Sequence, residues 1–269
     1  CFRPARNFQK IQNEHHIAHR HPQQATSLDG MAKGKIESSL AKAEKRAREA
    51  LKASKVALVR EAAERIAAAS AREDLFESLV PSFFILHSPA TSRSSDIKSE
   101  SSVTLTVCEH PTATLIDAAY ALTEENMRAL YETASWGWKA KKKRAELAHP
   151  NARFLVASDA SNRMVGFTHF RFDWDDEDEP AEDALYVFEL QVASDMRRRG
   201  IGRRMMQVAE MLANKCGMSK TMLTVFKFNV SAMSFYVNSL KYCIDDACSP
   251  SANGVDDADF EVLSKPTAI

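Results

Sequence analysis

Apolar residues recur every three to four positions from 36 to 69, at Ile36, Leu40, Ala43, Ala47, Leu51, Leu58, Ala62 and Ala69, with a lapse at Ser54. Ala, Lys, Arg and Glu fill the spaces, so the spacing predicts one long amphipathic helix with a thin alanine seam. The serine-rich stretch 88–102, with Pro89, reads as a surface loop or linker. Beyond it, 102–108 alternates as a strand, 123–134 reads as a helix, and 152–157 and 164–172 read as strands around the turn 158–163. The apolar run 185–192 is the next strand. A glycine turn and a helical pattern over 201–216 follow, then a buried strand at 221–226, a helix at 231–240 and a short strand at 260–263. Strands interleaved with helices predict an α/β layer fold on one mixed sheet. The expected organisation is an extension at 1–30, a basic helical arm at 31–87, a linker at 88–102 and one α/β domain at 103–265.

Composition changes this picture only locally. Lys plus Arg and Asp plus Glu are equal at 36 each, so any electrostatic binding surface must come from charge segregation within the chain. Charge is indeed segregated, between the basic helix and an acidic run at 173–179 extended by Glu182 and Asp183. The helix reads as a basic arm reaching nucleic acid, a ribosome or an import factor, or as a stabilising helix or solvated stalk. Five scattered cysteines, without Cys-x-x-Cys or zinc spacing, predict a reducing compartment and no structural metal. His15, His16, His19 and His21 invite a metal reading, but no apolar pattern surrounds them and disordered polar sequence is the expectation. Met31-Ala32-Lys33-Gly34-Lys35 reads as a translation start, and no signal-peptide or membrane-spanning apolar stretch is seen. A soluble intracellular protein without membrane contact is expected.

The chemistry concentrates around Arg197-Arg198-Arg199-Gly200-Ile201-Gly202, between a strand and a helix. Glycines there let the backbone approach an anion closely, and the helix N-terminus and arginines add positive potential, which suits a pyrophosphate. Neither Gly-x-x-x-x-Gly-Lys-Ser/Thr nor Gly-x-Gly-x-x-Gly is present, since Met205 stands where the third glycine would fall. Eight residues upstream of the turn, Glu189 is the one acid in an apolar strand. It is either a desolvated general base of raised proton affinity or the partner of an interior Arg or Lys. Asn229 is either a ligand contact or a helix cap, and the aromatics around 131–138 are either core or pocket wall.

The turn, together with Asn126-Met127-Arg128-Ala129-Leu130-Tyr131, Trp136-Gly137-Trp138, Thr168-His169-Phe170-Arg171-Phe172-Asp173, Glu189-Leu190-Gln191-Val192, Met222-Leu223-Thr224-Val225-Phe226-Lys227 and Ile244-Asp245-Asp246, resembles the histone-directed N-terminal α-acetyltransferases of NatD type in the GNAT superfamily. The likeness runs from about 120 to 250. It implies a GNAT fold, a central mixed twisted sheet flanked by helices with a long basic N-terminal helix, and acetyl-CoA as cosubstrate without a metal.

The resemblance also implies roles. Leu190, Gln191, Val192, Arg198, Arg199, Gly200, Ile201, Gly202, Arg203 and Asn229 would hold acetyl-CoA, and Glu189 would be the general base. Tyr131 and Tyr236 would assist catalysis, Tyr236 by protonating the departing thiolate. Tyr131, Trp136, Asp173, Asp175, Tyr186, Phe188, Thr224 and Phe260 would line the peptide pocket, with Asp173 and Asp175 on the substrate arginine. Phe188 and Phe260 replace family tyrosines, Ala247 replaces a serine, and Asp175 is one methylene shorter than the expected glutamate. The implied reaction is acetyl transfer to the N-terminal serine of histone tails starting Ser-Gly-Arg-Gly, by a monomer in cytoplasm and nucleus, with the basic helix available to a ribosome. A lysine or small-amine acetyltransferase, or a non-catalytic acyl-CoA-binding or ribosome-associated module, are the alternatives.

Overall fold

The computed structural model describes residues 27–72, 85–88, 101–175, 182–255 and 257–267. The elements are α1 (Ser27–Ser70), β1 (Ile85–Ser88), β2 (Ser101–Cys108), α2 (Ala113–Thr133), α3 (Ala140–Leu147), β3 (Arg153–Ser158), β4 (Met164–Trp174), β5 (Asp183–Val192), α4 (Ile201–Lys215), β6 (Lys220–Phe226), α5 (Val230–Met233), β7 (Cys243–Ile244) and β8 (Phe260–Pro266). The eight described strands form one sheet in the order β1-β2-β3-β4-β5-β6-β8-β7. Its described pairs are antiparallel except β5 with β6. The predicted mixed-sheet α/β fold is therefore observed.

Alternation along the central strands divides the core between the two faces of the sheet. Leu185 and Val187 of β5 and Leu223 and Val225 of β6 pack with Ile201, Met205, Val208 and Leu212, the apolar stripe of α4. Tyr186, Phe188, Met222 and Phe226 face the other way, toward Tyr131 and Met127 of α2. A bulge interrupts this order. His169 is opposite Glu189 and Phe170 opposite Val187, so Phe188 is an extra residue on β5. Past the bulge the parity reverses: Leu190 and Val192 join the α4 side, while Glu189 and Gln191 turn toward α2 and α3.

The arm differs from its expectation. α1 ends at Ser70, and 85–88 form strand β1 inside the stretch expected to be helical. Among the described side chains of α1, those of Ala62, Ile66 and Ala69 near its end pack, while Leu51 and Leu58 of the expected seam are exposed. Arg65 fastens the helix, donating from Nε and a terminal nitrogen to Asp183 at 3.0 and 2.6 Å. The described side chains are thus solvated over 44–58 and packed on the domain at 62, 66 and 69. Most of the expected linker and the acidic residues 176–179 lie outside the described residues.

Candidate active site

Strands β5 and β6 pair from Ala184 with Lys220 to Val187 with Leu223 and no further. Beyond that point β5 stays on β4 as far as Val192, and β6 stays on β8 as far as Phe226. The two parallel strands therefore diverge and open a cleft between 188–192 and 224–226. Its lining includes Phe188, Glu189, Leu190, Gln191, Thr224, Phe226, Asn229 and Tyr236, with Trp136 and Met127 closing one side. A parallel pair opening at its carboxyl ends is the place where open α/β sheets accept ligands.

Glu189 lies on this wall and is 3% exposed. Lys143 of α3 donates to its Oε1 at 2.6 Å, and the Gln191 side-chain amide donates to its Oε2 at 2.7 Å. Lys143 also donates to Glu146 at 2.6 Å. Burial by itself would raise the proton affinity of Glu189, but the Lys143 charge and the two hydrogen bonds more than offset it and hold the carboxyl below the usual range. This corrects the expectation of a raised affinity: Glu189 is the partner of an interior lysine and is ionised. Burial also opposes the charge of Lys143, yet Glu189 and Glu146 hold it protonated well past the ordinary lysine range. The lysine was missed in the sequence.

The other predicted residues divide. Trp136, Phe188, Thr224 and Tyr236 reach the cleft. Tyr131 is buried behind it, edge-on to Phe226 and Trp138 and beneath the Lys143 ammonium. Tyr186 is also buried and shares a short hydrogen bond with Thr224, fixing that hydroxyl instead of lining the cleft itself. Phe260 packs against Trp136 at 4.9 Å between ring centroids. Tyr236 sits on the π-helical turn Ser234–Ser239 that continues α5, and burial, then the Glu189 charge, push its phenol upward so that it keeps its proton. Asn229 caps α5 by accepting from the Ala232 N–H at 3.2 Å and lines the cleft as well, so both of its readings hold geometrically. Among the described residues no cysteine lines the cleft, and the Cys248 thiol is pushed up to about 12, chiefly by burial.

Asp175, expected on the substrate arginine, does not line the cleft. It is 4% exposed, and Lys220 donates to it at 3.3 Å while also bonding Asp245 at 3.0 Å. A carboxylate can be buried there because that ammonium is buried with it. Asp183, the end of the acidic stretch, is likewise spent on Arg65 and Ser219. Asp173, half-buried at the end of β4, accepts from the Trp174 N–H at 3.0 Å.

The arginine-glycine turn runs from β5 into α4. Gly200 is its left-handed N-cap, at φ +82°, and Arg198 is left-handed at φ +65°. The first α4 bond closes from the Arg204 N–H to the Gly200 carbonyl, which leaves the N–H groups of 201–203 without an intrahelical acceptor. Ile201 is buried and anchors the turn, while Arg198, Arg199 and Arg203 are exposed. Gly202 is helical and, unlike Gly200, has no positive φ. A Cβ on it would meet Phe235 at 3.6 Å, Val192 at 3.8 Å and Leu190 at 3.9 Å, ordinary contacts that the protein itself tolerates.

Among the described residues no group of three or more His, Cys, Asp or Glu is placed to hold a metal ion. Residues 119–242 match the model of the acetyltransferase (GNAT) family. Similar solved structures include the ribosomal-protein-S18-alanine N-acetyltransferase of Escherichia coli, at 17% identity over 62% of this chain and 96% of that one, TM-score 0.42. The PaiA N-acetyltransferase of Thermoplasma acidophilum in complex with coenzyme A is 14% identical over 61% and 99%, TM-score 0.43. A chain of the NatC complex bound to Gag peptide and CoA is 15% identical over 62% and 99%, TM-score 0.46. Cleft, turn and family model fall on the same residues: the chain has the GNAT fold, and its residues 119–242 match the GNAT acetyltransferases, enzymes that use acetyl-CoA.

Proposed function

We propose that the protein transfers the acetyl group of acetyl-CoA to the α-amine of a peptide N-terminus by direct attack in a ternary complex. The observation that carries this reading is the cleft between diverging β5 and β6, with an ionised carboxylate, Glu189, and a protonated phenol, Tyr236, among the residues lining it. Acetyl-CoA supplies an activated thioester. The free N–H groups at the start of α4 and the exposed arginines suit its pyrophosphate, and the tolerance of Gly202 for a Cβ leaves a close approach from outside as the reason for glycine. The edge of β5 beyond Val187, unpaired by β6, offers extended backbone to the pantetheine amides in the manner of an added strand.

An α-ammonium has a reference pKa near ~8 and must lose a proton before it attacks. Ionised Glu189 holds that ammonium at the cleft wall, and the proton that the amine sheds passes to water, because the Lys143 charge keeps the carboxyl from retaining it; Thr224, fixed by Tyr186, offers a second polar contact. Tyr236, retaining its proton, gives it to the sulfur as the carbon–sulfur bond breaks, and the proton that the acylated nitrogen sheds restores the phenol. No cysteine is involved, and the transfer is direct.

The narrower reading is a histone-type tail beginning Ser-Gly-Arg-Gly, met in cytoplasm and nucleus. It rests on the resemblance and on Asp173 as the arginine contact, since Asp175 is committed to Lys220. The test incubates the protein with acetyl-CoA and peptides beginning Ser-Gly-Arg-Gly, peptides with an acidic start and N-terminally blocked versions, and locates the acetyl group by mass spectrometry. Acetyl on the free α-amine of the first peptide is expected. Acetyl on lysine of the blocked peptide refutes the α-amine reading, and equal use of the acidic peptide refutes the histone-type preference.

A further inference from the structure

A chain of side chains crosses from the arginine-glycine turn to the cleft wall. Arg197 donates to Asn126 Oδ1 at 2.6 Å, and Asn126 Nδ2 donates to Gln191 Oε1 at 3.0 Å and to the Val192 carbonyl at 3.2 Å. Gln191 Nε2 donates in turn to Glu189 Oε2 at 2.7 Å. The two ends of this chain are chemically one-way. A guanidinium has donors and no acceptor, and an ionised carboxylate has acceptors and no donor. Between them stand two amides, each with one oxygen and one NH2. With an arginine at one end and a carboxylate at the other, one orientation of both amides satisfies every contact: each oxygen faces the turn and each NH2 faces Glu189.

The remaining oxygen of Glu189 is held by Lys143 from the opposite side, so the pair Lys143 and Gln191 fixes the plane of the carboxylate. Gln191 is 5% exposed and Asn126 half-buried, which gives a misoriented amide little water to make good a lost partner. Nothing about residues 126 and 191 in sequence joins them; the bulge at Phe188 does, by turning Gln191 to the α2 side.

We infer that Asn126 is a positioning residue for acetyl transfer, which sets the polarity of a hydrogen-bond chain and thereby makes Gln191 present its NH2 to Glu189. The inference rests on the reading of Glu189 as the carboxylate that handles the acceptor amine. It also ties the turn that suits the cofactor pyrophosphate to the reacting wall, with Arg197 as the link between them.

Polarity gives a test that mere packing does not imitate. Asn126→Asp keeps the pairing with Arg197 but presents only acceptors, so Gln191 must turn its NH2 to residue 126 and its oxygen to Glu189. Asn126→Leu removes the contact on both sides and leaves Gln191 free to keep its NH2 on Glu189. The expected order of kcat is therefore wild type, then Asn126→Leu, then Asn126→Asp, with the Asp variant lower than wild type by about tenfold or more and the KM for acetyl-CoA within about twofold. In a Gln191→Ala background the difference between Leu and Asp at 126 should vanish. A structural role alone predicts the reverse order, because Leu loses more hydrogen bonds than Asp, and that order overturns the inference. It is also overturned if the Asp and Gln191→Ala effects multiply, or if Asn126→Asp raises the KM for acetyl-CoA at unchanged kcat. Should Asn126→Asp not fold, Asn126→Leu and Gln191→Ala decide the matter: kcat of the double variant equal to that of Gln191→Ala supports the relay, and a further fall overturns it. Wild-type protein that acetylates no α-amine refutes the reading of the site, a result separate from any ranking of the variants.

Discussion

Replacing Lys143 by methionine removes the cation between Glu189 and Glu146 at nearly constant side-chain volume. Lys143 is 3% exposed and lies 2.6 Å from each carboxylate, with Tyr131 beneath its ammonium. Buried Glu189 and half-buried Glu146 would lose the lysine charge between them, and breaking a buried pair from one side costs about 3–5 kcal/mol. A domain of this size shifts its midpoint by about 2–4 °C per kcal/mol, so the variant should melt about 6–20 °C below wild type near neutral pH. The sign of the pH dependence follows from Glu189. In the wild type its folded proton affinity is depressed, so its stabilising contribution is present above the unfolded value of about 4.3 and is lost as pH falls through the folded one. In the variant the Gln191 hydrogen bond remains but the lysine charge is gone, so burial, the largest influence, raises the folded value, and the penalty is largest at neutral pH and disappears once both states are protonated. The gap between the two proteins should therefore narrow from pH 7.5 to pH 4. Thermal melts followed by circular dichroism at several pH values measure it. A variant that melts with the wild type at neutral pH, or a gap that stays constant with pH, would refute the buried-pair reasoning.

Gly200→Ala forces a left-handed φ of +82° on a residue with a Cβ, at a cost of about 1–2 kcal/mol, and should raise the KM for acetyl-CoA more than it lowers kcat in steady-state kinetics. Tyr236→Phe removes the proton meant for the departing thiolate and should lower kcat about 10²-fold while coenzyme A binding, by calorimetry, is unchanged. Arg65→Ala strips the cation from fully buried Asp183, and because the arginine is partly exposed a loss of about 1–2 kcal/mol is expected, seen as faster hydrogen exchange in α1 near 60–70. Asp175→Asn should lower the melting temperature by unbalancing Lys220, whereas Asp173→Asn should leave it in place and raise the KM of arginine-bearing peptides.

The helix α4, its turn and strand β5 were legible because their signals are local: a stripe at Ile201, Met205, Val208 and Leu212, two glycines, and an apolar run. What sequence reading missed depends on distance along the chain. The Lys-rich segment of α3 carries no sequence expectation, yet Lys143 and Leu147, four residues apart, share its buried face, and that spacing was the available signal. Asp183 and Asp175 read as parts of one unpaired acidic run because their cations, Arg65 and Lys220, lie 118 and 45 residues away. The bulge at Phe188 leaves no mark in the pattern of 185–192, and with strict alternation Glu189 would share the face of Leu185 and Val187 instead of turning to α3. Tyr131 and Tyr186 read as residues of the peptide pocket, but both rings are buried behind its wall and the Tyr186 hydroxyl is engaged with Thr224.

The central claim is that ionised Glu189, on the wall of the β5/β6 cleft, handles the acceptor amine. Glu189→Gln tests it most directly, in kinetics with a Ser-Gly-Arg-Gly peptide alongside calorimetric titration with coenzyme A. The account predicts a fall in kcat of about 10²-fold or more at every pH with coenzyme A affinity retained. Full activity in the Glu189→Gln variant across the pH range would contradict it.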